Sequence, residues 1–293
     1  MGRGFGVAFT ISDDGYIGLQ SVSLLTFGDQ PWEHTETILN VLPMGKLHMP
    51  ETSSLGDVEY SDKRLQMRFS LGGGKRRIVC RFENFCAGKP FSCDISLVQP
   101  EMDTMVIATP WDKDKHFYYN QKINCMRASG FAEFDGVRYE LDPSTDFGTL
   151  DWGRGVWTYD NTWHWGSGNC DLDGHSFGFN IGYGFGNTGA ATENILFYDG
   201  IAHKLDDVVF HIPQRPDGSC DYMAPWRFTE SNGRFEMDFV PVLDRAAKID
   251  AKLILSDQHQ VFGRLSGTAI LDDGRKLTVK DLLCFAERVH NRY

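Results

Sequence analysis

The chain has 293 residues, 41% hydrophobic and 24% charged, enough for two modest domains or one large β domain with a real core. Lys and Arg number 29 against 40 Asp and Glu, a formal charge of -11, so a phosphate backbone is repelled on average and nucleic acid is excluded as a partner. No apolar run reaches the roughly 18 residues that a membrane helix needs, which argues against stable membrane insertion.

The opening Met1-Gly-Arg-Gly-Phe-Gly6 has no apolar signal-peptide core, and Gly6 stands where myristoylation calls for Ser or Thr. A strand is expected almost at once, over Val7-Ala-Phe-Thr-Ile11, which suits a chain whose natural start lies further upstream. A short helix or turn is expected near Glu33 to Leu42, ended by Pro43. Beyond it the pattern has period two: Leu65, Met67 and Phe69 alternate with Arg64, Gln66 and Arg68, and Ile78, Cys80 and Phe82 with Arg77 and Arg81. Phe91, Cys93, Ile95 and Leu97 continue it, and Phe235, Met237 and Phe239 repeat it late in the chain. One apolar and one wet face is the mark of antiparallel β structure.

Tight hairpins are expected at Asp14-Gly15, Asp135-Gly136, Asp173-Gly174, Asp199-Gly200, Asp217-Gly218, Asn232-Gly233 and Asp273-Gly274, because primed two-residue turns need positive φ. Only the end reads as helical: from Lys280 to Tyr293, Leu282, Leu283, Phe285, Ala286 and Val289 fall near one stripe of a 3.6-residue period. Gly130 to Tyr139 echoes Gly267 to Leu277, each a strand, a turn and a return strand, which suggests two similar β units of residues 1–141 and 142–293. The seven cysteines are odd in number and scattered, with no Cys-x-x-Cys pair and no His partner at zinc spacing. They read as reduced thiols of a cytoplasmic protein, with no metal and no cofactor indicated.

Chemistry concentrates between residues 151 and 194. Trp152, Trp157, Trp163 and Trp165 fall beside Asp151, Arg154, Tyr159, Asp160 and His164, and each indole brings an N–H that needs a partner when buried. A lined cavity is the expectation. In Ser176 to Gly184, Phe177, Phe179, Ile181 and Tyr183 share one face while Gly178, Asn180, Gly182 and Gly184 leave the other nearly bare, a sign that something approaches closely. Glu193-Asn194 precedes another strand, and burial against indoles would raise a carboxyl there into the range of a general acid. An ion pair of Glu193 with Arg154 is the structural alternative. His164, flanked by two indoles, faces away from both in an extended segment and is the natural proton shuttle. A second aromatic and polar cluster, Trp111 with His116 to Lys122, offers Tyr118, Asn120 and Lys122 to the same cavity.

Taken together, several motifs carry a resemblance: Asp151-Trp-Gly-Arg-Gly-Val-Trp-Thr-Tyr159, Trp163-His-Trp-Gly-Ser-Gly168, Ala191-Thr-Glu-Asn194, Met223-Ala-Pro-Trp226 and His259-Gln-Val-Phe-Gly263 with Ser266-Gly267. With Leu42-Pro-Met-Gly45, Met49-Pro50 and Phe117-x-x-Asn-Gln-Lys122, the chain resembles domain-of-unknown-function family 2804 over nearly its whole length. That family is distantly similar to the tandem-lipocalin group of carotenoid hydratases, tocopherol cyclase and fungal lipid-carrying lipocalin pairs. The resemblance implies an all-β fold of two lipocalin-like antiparallel barrels, with a site built mainly by the second; the helix is placed at its C-terminus. Hydratase motifs of that group set an acid and a histidine ahead of Trp-Gly; here His164-Trp165-Gly166 fits, but Trp163 replaces the acid, which would come from Asp151, Asp160 or Glu193.

Three functions follow as expectations. One is an acid-catalysed hydratase, cyclase or isomerase of an apolar, isoprenoid-like small molecule. Asp151, Asp160 or Glu193 would be its acid, His164 and Tyr159 would orient the proton, and Trp152, Arg154, Trp157, Trp163, Trp165, Asn180, Tyr183, Asn194, Tyr118 and Lys122 would line the site. The others are a carrier using the same cavity without chemistry and, third, a carbohydrate-active protein with tryptophan platforms. Nothing in the sequence sets an oligomeric state.

Overall fold

Alternating side chains and Gly-containing turns build everything that follows. In the computed structural model, which describes every residue except Arg3, Lys252, Leu253 and Tyr293, the described residues form strands and no helix. They fall into two compact units: Met1–Pro100 with Met126–Gly148, and Glu101–Cys125 with Thr149–Tyr293.

In the first unit β1 (Phe5–Asp13), β2 (Ile17–Thr26) and β3 (Trp32–Val41) form an antiparallel sheet in that order. Next come β4 (Val58–Ser61), β5 (Leu65–Gly72), β6 (Lys75–Cys86) and β7 (Lys89–Val98). After β8 (Met105–Pro110), the long β9 (Phe117–Phe134) and β10 (Val137–Leu141) complete the order β10-β9-β7-β6-β5-β4. Phe82, Phe85 and Phe91 are fully buried there. At Gly130 the φ of 107° and the Asp94 carbonyl, which a Cβ would strike, admit no side chain.

In the second unit β8 pairs with the first half of β9, Met105 opposite Lys122 and Pro110 opposite Phe117. β11 (Phe147–Val156) also pairs with β9. The main body is one antiparallel sheet formed by β12 (Asp160–Leu172), β13 (His175–Tyr183), β14 (Ile195–Tyr198), β15 (Ile201–Lys204), β16 (Val208–His211), β17 (Trp226–Glu230), β18 (Phe235–Ala251), β19 (Ile254–Ile270) and β20 (Lys276–Arg292). Its order is β15-β14-β13-β12-β20-β19-β18-β17-β16. The sheet curls on itself: Val208 and Phe210 of one edge strand share a core with Phe177, Phe179, Phe228 and Phe239. The Tyr183 hydroxyl accepts the amide of Phe210 at 3.4 Å, tying β13 to β16.

Positive φ at both turn residues, 54° and 75° at Asp135-Gly136, 55° and 87° at Asp173-Gly174, 48° and 83° at Asp199-Gly200, makes these primed hairpins as expected. Ala87-Gly88 forms another such turn, with φ of 50° and 81°, that its sequence does not advertise.

Two helical expectations are overturned. Residues 280–292 belong to β20; Tyr293 lies outside the described residues. Leu282, Cys284 and Ala286 face the core while Leu283, Phe285 and Val289 occupy the other face, so both faces are apolar and the run mimics a helical stripe. Residues 33–41 are strand as well, with every residue of β3 opposite one of β2 from Trp32–Thr26 to Val41–Ile17. Thr35, Thr37, Ile38 and Val41 supply the β-branched side chains that suit it.

Candidate functional site

β12 presents two chemically different faces. Gly166 and Gly168 lie opposite Ile181 and Phe179 of the core, so their face, which His164 shares, is the inner one. Trp163, Trp165 and Ser167 therefore point outward. Across the outer face, Gly182, Trp165, Glu287 and Gln260 stand side by side on β13, β12, β20 and β19. Tyr118, Asn120, Lys122 and Asn124 line one face of β9, and three of the four are buried.

Glu193 fills the notch left by Gly182: a Cβ there would sit 2.8 Å from its Oε1. The bare face of β13 is thus occupied by the chain's own carboxyl. Asn180 Nδ2 donates to the Glu193 carbonyl at 3.0 Å and to Oε2 at 3.4 Å, while its Oδ1 accepts the Trp165 indole N–H at 2.7 Å. Lys122 pairs with Asp151, and its ammonium lies 4.3 Å from the centre of the Trp165 ring. Burial pushes the Glu193 carboxyl above the ordinary carboxylate value, with Lys122 and Asn180 pulling the other way. Tyr118 is raised too, by burial first and then by Asp151, Glu193 and Glu287.

Glu287 was not foreseen. It is buried, accepts the Trp163 indole N–H at 3.0 Å and the Gln260 amide at 2.7 Å, and burial raises its pKa. A period-two reading of β20 would have placed it beside Trp165; the helical reading hid it.

The remaining residues are distributed as follows. Phe185 stands among Trp111, Tyr118, Trp157 and Trp163 at 4.7–5.7 Å between centroids, so those rings pack on another ring. Trp152 packs edge-on against Tyr119 at 5.7 Å, and Tyr159 and Arg154 are exposed on or beside β11. Asp160 meets His290 at 3.0 Å at the sheet's end. Asn194 Oδ1 accepts the Gly182 amide at 2.7 Å and its Nδ2 donates to the Asp206 carbonyl at 2.8 Å, fixing the segment that carries Glu193. His164 and Tyr183 stack at 4.5 Å on the inner face, away from the two indoles. Asn124 donates to Ser167 Oγ, Asn169 Oδ1 and the Phe179 carbonyl at 2.9–3.0 Å, a buried polar peg holding β9 on the sheet. Among the described residues no group of three or more His, Cys, Asp or Glu side chains is arranged to hold a metal ion.

A half-open cleft of about 230 Å³ borders this network. Gly182, Thr192 and Asn194 around Glu193 line it together with Tyr183, Thr188, Asp207, Val208 and Val209. The volume lies below the roughly 300–1,000 Å³ usual for small-molecule sites. Among the described residues no helix is long and apolar enough to cross a membrane.

The model of the family described as Domain of unknown function (DUF2804) matches residues 1–293. No curated protein matches the chain in sequence. Among solved structures, kievitone hydratase from Nectria haematococca is similar in fold at 12% identity, with a TM-score of 0.58 over 99% of this chain and 84% of that one. An AttH-like protein from Nitrosomonas europaea is similar at 15% identity, with a TM-score of 0.54 over 97% of this chain and 86% of that one.

Proposed function

Because the chain belongs to the family described as Domain of unknown function (DUF2804), whose description carries no activity, we propose its function from the site: acid-catalysed hydration or isomerisation of a small, largely apolar unsaturated molecule. The observation that carries this reading is Glu193, a carboxyl raised by burial, held by Asn180, which Trp165 holds in turn, and set against Gly182, a residue that lines the cleft. A carboxyl that burial makes hold its proton more tightly than usual can deliver that proton to a double bond.

Water adds to the neighbouring carbon as the proton arrives and releases its own proton to Asp151, which is partly exposed and passes it to solvent, while Glu193 regains a proton from solvent. The sum is alkene plus water giving alcohol. Loss of a proton from a neighbouring carbon in place of water addition gives the isomerised alkene. Because Lys122 already covers the indole of Trp165, a free carbocation beside that ring is disfavoured, and proton delivery concerted with attack suits the site better. The fold shared with a hydratase supports the reading at the level of architecture alone. A carrier without chemistry is favoured by one observation: the cleft is lined mainly by Thr188, Thr192, Val208, Val209 and Asn194, with Asp207 as its carboxylate.

Native mass spectrometry of gently purified protein would identify a bound small molecule. Incubating that molecule with the protein in D₂O tests the chemistry. Deuterium entering carbon with wild type but not with Glu193→Gln supports acid catalysis, and a molecule recovered unlabelled makes the protein a carrier.

A further inference from the structure

The inner face of the nine-stranded sheet ends in a polar rim of which the site above uses only Tyr183. Beyond the apolar row of Ile181, Gly166, Ala286 and Val261, the next residues on that face are Tyr183, His164, Arg288 and His259, directly opposite one another on β13, β12, β20 and β19. Two flat stacks flank the arginine. Tyr183 lies on His164 at 4.5 Å and 19°, with Phe210 edge-on at 5.6 Å; Tyr222 lies on His259 at 3.8 Å and 13°.

Charges in this rim are unevenly satisfied. Asp244 and Asp257 both turn to His259, at 2.7 and 3.6 Å, which leaves Arg288 outside the ion pairs. Among the described residues its guanidinium reaches only the Tyr222 hydroxyl, at a long 3.4 Å. It stands opposite His164, whose other neighbour is Tyr183, and meets Tyr222, and its charge acts to lower the pKa of all three. Two buried polar atoms without hydrogen-bond partners, His164 Nδ1 and Asp244 Oδ1, belong to the same ring of residues. A partly exposed guanidinium in a chain of net charge -11, held between aromatic stacks and without a carboxylate of its own among the described residues, is open to an anion from solution.

We propose that this rim is a second binding site, taking a small aromatic carboxylate whose anionic end is gripped by Arg288 and whose ring lies between the Tyr183–His164 and His259–Tyr222 stacks. The planar fork of arginine matches a carboxylate in two parallel hydrogen bonds, and the Tyr222 hydroxyl can supply a further donor. The site lies on the opposite face of β12 from Glu193, so the two readings stand independently.

The test is calorimetric titration of the full chain with cinnamate and with methyl cinnamate, which has the same body without the charge. Saturable binding of cinnamate is expected, with no saturation by the ester. Arg288→Gln should weaken cinnamate about tenfold or more, as loss of a charged bidentate contact implies. Arg68→Gln makes the same charge change at an exposed pair with Asp57 and should leave binding unchanged. Arg288→Lys keeps a cation without the fork and should bind with intermediate affinity, which keeps the test decisive if the glutamine variant fails to fold. Absence of saturable binding, equal binding of the ester, or cinnamate binding indifferent to both Arg288 substitutions would overturn the proposal.

Discussion

Protonating His164 is expected to destabilise the second unit. Its pKa is lowered from the ordinary 6.5 to about 4, by burial first and by Arg288 second. A depressed histidine contributes stability that is complete above its unfolded value and is lost as pH falls from 6.5 through about 4. The interval of 2.5 units corresponds to about 3.4 kcal/mol at ~1.4 kcal/mol per unit; the half-buried ring retains some solvent, which reduces this to roughly 2 kcal/mol. His164→Phe keeps a flat ring on Tyr183 and removes the titration. Urea unfolding of both proteins near pH 7.5 and pH 4 measures the difference, because the other titrating groups largely cancel between them. Wild type should lose about 2 kcal/mol more than the variant. Parallel losses in the two proteins would refute the assignment of a neutral, buried imidazole.

The buried carboxyls behave in the opposite sense. Glu193 and Glu287 hold their protons more tightly folded than unfolded, so stability should fall as pH rises above the ordinary carboxylate range. Glu193→Gln and Glu287→Gln should each flatten that fall in urea unfolding across pH 5 to 8, and unchanged slopes would mean that neither group is desolvated. Gly130→Ala should destabilise by about 3 kcal/mol or more, read by thermal unfolding, since it combines a left-handed backbone with a clash against a carbonyl that cannot turn aside. Trp226→Ala should cost about 3–5 kcal/mol, because a fully packed indole and its hydrogen bond to the Tyr222 carbonyl are both removed.

Much of the fold was legible because period two survives wherever one face is wet. Leu65 to Phe69 and Phe235 to Phe239 could be read directly as strands, and three of the six Asp-Gly pairs announced primed turns, while Asp14, Asp217 and Asp273 lack the positive φ that such turns need. β20 could not, since Leu283, Phe285 and Val289 give its outer face the same apolar character as its inner one, and a strand buried on both sides carries no alternation. Glu287 was lost with it. The outward indoles and the inward His164 followed from simple alternation along β12, and the Gly182 notch was visible as a bare face. What filled that notch was not: Glu193 reaches it across a loop, and Lys122 reaches Trp165 from a strand some forty residues earlier, contacts that no local pattern encodes.

Phe185 sits between Gly184 and Gly186, whose φ values of 94° and 92° let the backbone turn sharply on either side of one ring. That ring is the keystone of an arch of three indoles and a phenol, and it reaches the surface. The space at the centre of those four rings is therefore filled by a single side chain. Exchanging it for alanine would leave a notch the shape of benzene, walled by indole, that an added aromatic solute could refill. A scaffold of this kind can gain or shed an aromatic recess without disturbing a strand.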